Sequence, residues 1–123
     1  MLLDTSAWIE FFNKTENYNR VTECLQAKKC FTSIVSIAEI SQWAQRENVD
    51  GQLVVSKILE LSELIQLSPQ IAFIAGELNH QRKKENIKWG MMDSLIVTTA
   101  RTYNLSILTK DTHFKDLPKV ELI

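Results

Sequence analysis

The chain has 123 residues, of which 45% are hydrophobic and 24% are charged, a composition typical of a globular domain and not of a disordered chain. Its 14 basic and 15 acidic residues give a formal net charge of −1, which excludes a bulk positive field as the means of binding nucleic acid. A polyanionic partner would therefore have to be bound through local patches or through metal ions.

The length favours one domain over residues 1–123, without internal repeats, low-complexity tracts or linkers. No charged segment precedes an apolar signal core, and no apolar run approaches about 18 residues, so we expect a cytoplasmic protein. Cys24 and Cys30 match no redox or zinc spacing. We expect two free thiols, with a disulfide as the alternative.

Apolar periodicity and turn residues predict strands that alternate with helices. Ser33 suits a helix N-cap and Pro69 suits a first helical turn. In the fourth predicted helix, Leu53 and Ile58 are among the residues expected to face inward. In chain order, the prediction is a strand over 1–4, helices over 6–13 and 18–28, a strand over 30–32, helices over 33–47 and 50–62, a strand over 64–67, helices over 69–85 and 91–103, and strands over 105–109 and 120–123.

This alternation predicts an α/β fold with a parallel sheet that is covered on both faces. In such sheets, ligands bind beyond the carboxyl ends of the strands. Asp4 lies at the carboxyl end of the first predicted strand, which is where a functional residue is expected.

Acidic residues interrupt the most apolar stretches of the sequence. Asp4 stands in MLLDTSAW, Glu39 in SIVSIAEIS and Asp93 in MMDSLIVTTA, while Asp111 closely follows the strand in SILTKD. Burying an ionised carboxylate costs several kcal/mol unless a partner or a cation compensates it. The pattern therefore predicts a compensating group near these acids.

Each acid taken singly has a structural alternative. Asp4 would cap the helix that follows, Asp93 would lie in a first helical turn, Glu39 would belong to a solvated stripe and Asp111 to a turn. The predicted sheet nevertheless brings all four towards one end, where close carboxylates repel one another. A divalent cation resolves that conflict, and oxygen ligands favour Mg²⁺ or Mn²⁺ over zinc.

The segments LLDTSAW, SIVSIAEI, MMDSLIVTTA and ILTKDTHF resemble, in order and in spacing, the acidic motifs of PIN domains, especially the small VapC-like toxin ribonucleases. The resemblance implies a three-layer α/β/α sandwich with a parallel sheet in the order 3-2-1-4-5. It also implies a Mg²⁺- or Mn²⁺-dependent endoribonuclease, the toxin of a VapBC-type toxin-antitoxin pair. The acidic positions of the family map onto Asp4, Glu39, Asp93 and Asp111 as catalytic and metal-binding residues, and its hydroxyl position maps onto Ser6, which would contact a carboxylate or the substrate.

Two other functions stay open at this point. One is a non-catalytic PIN-like module that binds protein or RNA, and the other is an RNA-processing nuclease outside a toxin-antitoxin system. A haloacid-dehalogenase-type phosphatase is disfavoured because it needs a second acid where Ser6 stands. The presence of all four acids favours the enzyme.

Surface features suggest partners. Large aromatics on the early helices, Trp8, Phe11, Phe12 and Trp43, exceed what a small core needs and predict a homodimer or an antitoxin-binding surface. The basic run from Arg82 to Lys88, with Trp89 after it, would contact RNA or would form a solvated helix end beside a core tryptophan.

Overall fold

Five short strands form one parallel sheet at the centre of the fold. The computed structural model describes residues 1–123, and its strands are β1 (Leu2–Leu3), β2 (Phe31–Ser33), β3 (Glu63–Ile65), β4 (Ile107–Thr109) and β5 (Val120–Leu122). Leu2 pairs with Phe31 on one side and with Ile107 on the other. The strand order is β3-β2-β1-β4-β5, which confirms the order implied by the family resemblance.

Helices cover both faces of this sheet. They are α1 (Thr5–Asn13), α2 (Tyr18–Ala27), α3 (Ile34–Arg46), α4 (Gly51–Leu61), α5 (Pro69–Glu85) and α6 (Met91–Thr102), with a 3₁₀ turn over Thr112–Phe114. None of the helices combines the length and the apolar character that crossing a membrane requires.

The alternation of side chains along the strands divides the core in two. Leu3 packs with buried residues of α1 to α4, whereas Leu2 packs with buried residues of α5 and α6. Leu108 and its neighbour Ile107 divide in the same way between the two clusters. Because successive strand residues point to opposite faces, two-residue apolar runs are enough to hold three layers together.

Local signals in the sequence fix several helix starts. Ser33 Oγ accepts a hydrogen bond from the Val35 main-chain N–H at 3.2 Å, which confirms the predicted N-cap of α3. Asp50 caps α4 by accepting from Gln52 N at 3.1 Å. Pro69 begins α5, as its fixed φ angle predicts.

The structure corrects one prediction about the core and narrows another. Leu53 was expected to face inward but is 69% exposed, because α4 contacts the core mainly through a narrow stripe that contains Val54 and Ile58. Among the early aromatic residues, Trp8 and Trp43 are 0% and 5% exposed and belong to the core, whereas Phe11 and Phe12 are only half-buried. A chain of aromatic contacts explains the burial of the two tryptophans: Trp8 lies 6.0 Å from Phe12, and Phe12 lies 6.4 Å from Trp43.

Cys24 and Cys30 are both buried and carry free thiols, as predicted. Their Sγ atoms are 3.8 Å apart. Burial, followed by the neighbouring Cys24, raises the pKa of Cys30 to about 12, so this thiol stays protonated at neutral pH.

Candidate active site

Asp4 lies directly after β1 and is only 7% exposed. Asp4 is the N-cap residue of α1, and its side chain makes no capping hydrogen bond of normal geometry, although the main-chain N–H groups of Thr5 and Ser6 lower the pKa of the carboxyl against the larger upward effect of burial. Ser6 Oγ and Thr109 Oγ1 both donate to Asp4 Oδ2, each at 2.8 Å. Both hydroxyls converge on Oδ2, and no lysine or arginine forms a salt bridge with the Asp4 carboxylate.

The hydroxyls that hold Asp4 are themselves fixed by neighbours. Ser6 Oγ and Thr109 Oγ1 are 3.0 Å apart, and each accepts a main-chain N–H from the loop after β4. Lys110 N donates to Ser6 at 2.9 Å, and Asp111 N donates to Thr109 at 3.0 Å. The network thereby ties the carboxyl end of β4 to the start of α1.

Glu39 extends from the first half of α3 towards the same end of the sheet. It is half-buried, and its Oε1 accepts a 2.6 Å hydrogen bond from Thr5 Oγ1. The stripe that it shares with Ser36 and Trp43 is buried, so the solvated-stripe alternative is wrong. Burial of the carboxyl raises the pKa of Glu39, the Thr5 hydrogen bond lowers it, and the negative charges of Asp4 and Asp93 raise it further, with a net upward shift.

Asp93 lies in the first turn of α6, where its Oδ2 accepts from Gly90 N at 3.0 Å. The capping alternative is therefore correct as geometry, but it does not account for the charges around the residue. Burial raises the pKa of Asp93, the Gly90 N–H lowers it, and the charges of Asp111 and Asp4 raise it again, with a net upward shift. A carboxylate that served only as a helix cap would have a lowered pKa.

Asp111 is the N-cap residue of the 3₁₀ turn, and its side chain is 31% exposed. Its Oδ1 accepts the His113 main-chain N–H at 2.8 Å and lies 3.1 Å from His113 Nδ1. The turn alternative is again correct as geometry. His113, which looks in the sequence like an ordinary loop residue, contacts this acid directly.

The fold thus brings all four acids to the carboxyl end of the sheet. Burial is the largest influence on the pKa of Asp4 and raises it, although the hydroxyls of Thr109 and Ser6 lower it. Mutual repulsion links Asp4 with Glu39 and Asp93, and Asp93 with Asp111. No salt bridge to a lysine or arginine offsets these four charges.

The chemistry of the donors fits a hard divalent cation. Every donor is a carboxylate or hydroxyl oxygen, the ligand type of Mg²⁺ and Mn²⁺. No three carboxylate, histidine or cysteine side chains converge closely enough to hold one ion directly. A cation at this end of the sheet would therefore have to keep several of its own water molecules, as Mg²⁺ commonly does.

Several residues of this region had no clear signal in the sequence. Thr109 and Ser36 look like ordinary hydroxyl residues there, and Glu10 looks like a solvated helix position. In the structure Glu10 is only 5% exposed, which is unusual for a charged residue. Its place within AWIEFF, an acid surrounded by apolar residues, is the signal that could have identified it.

The basic run begins in the last turn of α5, and the prediction that Trp89 beside it stacks on RNA bases was wrong. Trp89 is fully buried and donates through Nε1 to Ser94 Oγ at 2.7 Å, so it cannot stack on a base. Arg82 lies over the Trp89 ring at 4.3 Å and donates to both carboxylate oxygens of Asp116. Trp89 is therefore a core residue, and contact of the exposed lysines of this run with RNA phosphates stays a prediction.

Comparison with known proteins gives one family and a consistent fold. The family model of the PIN domain matches residues 1–120. A curated relative, "Ribonuclease VapC" of Rickettsia bellii (strain RML369-C), is 34% identical over 80 residues, which are 63% of this chain. The alignment covers 60% of that relative's length.

Solved structures share the architecture at low identity. A toxin-antitoxin complex from Klebsiella pneumoniae has a TM-score of 0.77 at 21% identity and covers 98% of this chain and 94% of its own. VapBC2 from Rickettsia felis, bound to a DNA fragment from its promoter, scores 0.76 at 23% identity, with coverage of 99% and 96%. Mycobacterium tuberculosis VapC20, a toxin that cleaves the sarcin-ricin loop, scores 0.78 at 18% identity, with coverage of 98% and 97%.

Proposed function

The chain belongs to the PIN-domain family, and we propose that residues 1–123 act as one PIN-like domain, a metal-dependent endoribonuclease that hydrolyses RNA phosphodiester bonds. The observation that carries the proposal is Asp4, a buried carboxylate with hydroxyl partners and no cationic one, surrounded by three further acids. The Rickettsia bellii relative, named as a ribonuclease, supports the same reaction.

In this proposal, Asp4, Glu39, Asp93 and Asp111 hold a hydrated Mg²⁺ or Mn²⁺. When bound, such an ion lowers the pKa of an attacking water and offsets the charge of the phosphodiester. Ser6 and Thr109 orient Asp4 by donating to its Oδ2. Divalent cations and RNA phosphates carry opposite charges, so the acidic end of this sheet can accept a polyanion only with the cation in place.

We assign to Glu39 the role of orienting the attacking water molecule. Its Oε1 is committed to Thr5, which fixes the side chain and leaves Oε2 for the water molecule. That second oxygen of the ionised carboxylate can then accept a proton from the water.

Biologically, we propose the toxin of a VapBC-type pair, with an antitoxin protein as partner. The relative named VapC and the toxin-antitoxin complexes among the similar structures support this. A homodimer belongs to the same proposal. Its support comes from α5, where Phe73 and Ile74 are 70% and 39% exposed, and not from the early aromatic residues.

The test is an RNA-cleavage assay with Mn²⁺ or Mg²⁺. We expect cleavage by the wild type, none in EDTA, and recovery when the metal is restored. Asp4→Asn and Asp93→Asn should each lose activity by about two orders of magnitude or more. Asp50→Asn, the same change at an exposed acid that caps α4, is the matched control and should stay fully active.

The result also separates the alternatives. A non-catalytic PIN-like module would bind RNA or protein and would cleave nothing at any metal concentration. An RNA-processing nuclease would cleave with the same metal and variant dependence, but its expression would not arrest growth. Full activity in EDTA would contradict the metal-dependent mechanism.

A further inference from the structure

Lys110, between Thr109 and Asp111, connects the candidate site to α1 through two hydrogen bonds. Its main-chain N–H donates to Ser6 Oγ at 2.9 Å, and its Nζ donates to Glu10 Oε1 at 2.9 Å. Ser6 and Glu10 are four residues apart on the helix, so both contacts fall on one face. The loop that follows β4 is therefore fastened to α1 at two points.

Glu10 is the fixed member of this pair. Its side chain is 6% exposed, whereas that of Lys110 is 50% exposed. Glu10 Oε2 accepts from Thr15 Oγ1 at 2.5 Å and from Asn17 Nδ2 at 2.8 Å. The carboxylate cannot turn towards solvent without leaving those donors unsatisfied. The buried Glu10 therefore holds the more exposed Lys110 in place.

We propose that Glu10 and Lys110 form a clamp that positions Asp111 for binding the cation, a role that rests on the function proposed above. Asp111 lies in a loop, where ligands are held less firmly than on helices or strands. Its own side chain is oriented only by the 3₁₀ turn. Fixing the preceding residue at both its main chain and its side chain restricts where the Asp111 carboxylate can lie. Glu10 and Lys110 are therefore positioning residues and not catalytic ones.

A different role for Lys110 makes the opposite prediction. If its ammonium group bound an RNA phosphate, Glu10 would compete with the RNA for it. Glu10→Gln would then release the lysine and strengthen RNA binding. In the clamp, the same change loosens the loop and weakens cation binding. Glu10→Gln is therefore the variant that separates the two roles.

The first measurement is the affinity for Mn²⁺ in the absence of RNA, determined by calorimetric titration. Glu10→Gln and Lys110→Met should each weaken Mn²⁺ binding about tenfold, and the double variant should be no worse than either single one. Lys110→Arg, which keeps charge and reach, should bind nearly as well as the wild type. Lys115→Met removes an exposed lysine that makes no salt bridge, and it should change nothing. Unchanged affinity in both single variants would overturn the clamp.

The second measurement is steady-state cleavage of RNA. The clamp predicts a lower kcat in Glu10→Gln and Lys110→Met with an unchanged KM. A raised KM in Lys110→Met, with Mn²⁺ affinity intact, would overturn it in favour of a phosphate contact. If the wild type binds Mn²⁺ without cleaving RNA, the ribonuclease proposal fails while the titration still tests the clamp. A wild type that binds no Mn²⁺ overturns both. Should Glu10→Gln not fold, the half-exposed Lys110 carries the test through its Met and Arg variants.

Discussion

At the scale of single residues, the acids of this protein divide into two groups with opposite electrostatics. Asp4, Glu39 and Asp93 are buried or half-buried beside like charges, and their pKa values are raised. Glu10 is buried too, but the hydrogen bonds from Thr15, Lys110 and Asn17 outweigh that burial and lower its pKa. The first group destabilises the ionised, metal-free fold, and the second stabilises it.

The first prediction concerns Asp4→Asn in EDTA. Removing the charge relieves repulsion and desolvation, so the melting temperature of the metal-free protein should be equal to or higher than that of the wild type. A structural role would give the reverse, because breaking a buried polar pair costs several kcal/mol. Thermal melts check this. An Asp4→Asn protein that melts much lower in EDTA and still cleaves RNA would show that Asp4 is structural.

The second prediction uses the sign of the pKa shifts. A carboxyl whose pKa is higher in the folded state binds more protons folded than unfolded. The free energy of unfolding in EDTA should therefore fall as the pH rises from about 4, the usual carboxyl pKa, through the raised pKa of Asp93. Asp93→Asn keeps an acceptor for the Gly90 N–H and loses the charge. The free energy of unfolding of this variant, relative to that of the wild type, should therefore increase as the pH rises over that range. Urea unfolding at a series of pH values measures the difference.

Glu10→Gln is the control, because its effect on stability at neutral pH should be opposite in sign to that of Asp93→Asn. Because the pKa of Glu10 is lowered, its contribution to stability is present above the usual carboxyl pKa and is lost as the pH falls through the folded value. The variant should be less stable than the wild type at neutral pH and equal to it in acid. If both variants shifted stability in the same direction at neutral pH, the assignment of the two groups would be wrong.

At the scale of elements, the sequence predicted every helix and strand and misplaced mainly their ends. The strand predicted over 105–109 begins at Ile107, because Leu105 N donates to Ala100 O and ends α6 instead of joining the sheet. Strands of two or three residues leave little periodicity to read, whereas caps such as Ser33 mark helix starts locally. The order of the strands came from the family resemblance and not from periodicity.

The residues of the candidate site also differ in whether the surrounding sequence could identify them. Asp4 and Asp93 were identifiable because each interrupts an apolar stretch. Thr109 was not, because its partner Asp4 is 105 residues away. Glu10 interrupts an apolar stretch as Asp4 does, but its partner Lys110 is 100 residues away and no local pattern marks the pairing. Contacts of that range become visible only when the sheet places β4 beside β1.

The third prediction belongs to α4, where one face is buried and the other is not. Ile58 is 0% exposed and Leu53 is 69% exposed, although both are apolar residues of the same helix. Ile58→Ala should lower the free energy of unfolding by about 2–4 kcal/mol through lost burial and the cavity left behind. Leu53→Ala should change it by no more than about 0.5 kcal/mol. Urea unfolding of both variants checks the pair, and equal losses would contradict the packing of α4.

At the scale of the whole molecule, exposed apolar side chains are spread over several helices, and α5 carries part of them. The acids lie at the carboxyl end of the sheet, while the exposed apolar side chains Phe73 and Ile74 lie on α5, in the helix layer on one face of the sheet. A near-neutral net charge offers little long-range repulsion between two copies of the chain. Association through α5 would bury this apolar surface.

The last prediction tests that association. Light scattering at micromolar concentrations should report a dimer for the wild type and a monomer for Phe73→Glu, because a charge buried in an apolar interface is costly. Leu53→Glu is the matched control: Leu53 has nearly the same exposure, 69% against 70% for Phe73, but it lies on α4 in the opposite helix layer. This control should remain dimeric. A wild type that stays monomeric across the concentration range would remove the homodimer from the proposal, and a monomeric Leu53→Glu would move the interface to α4.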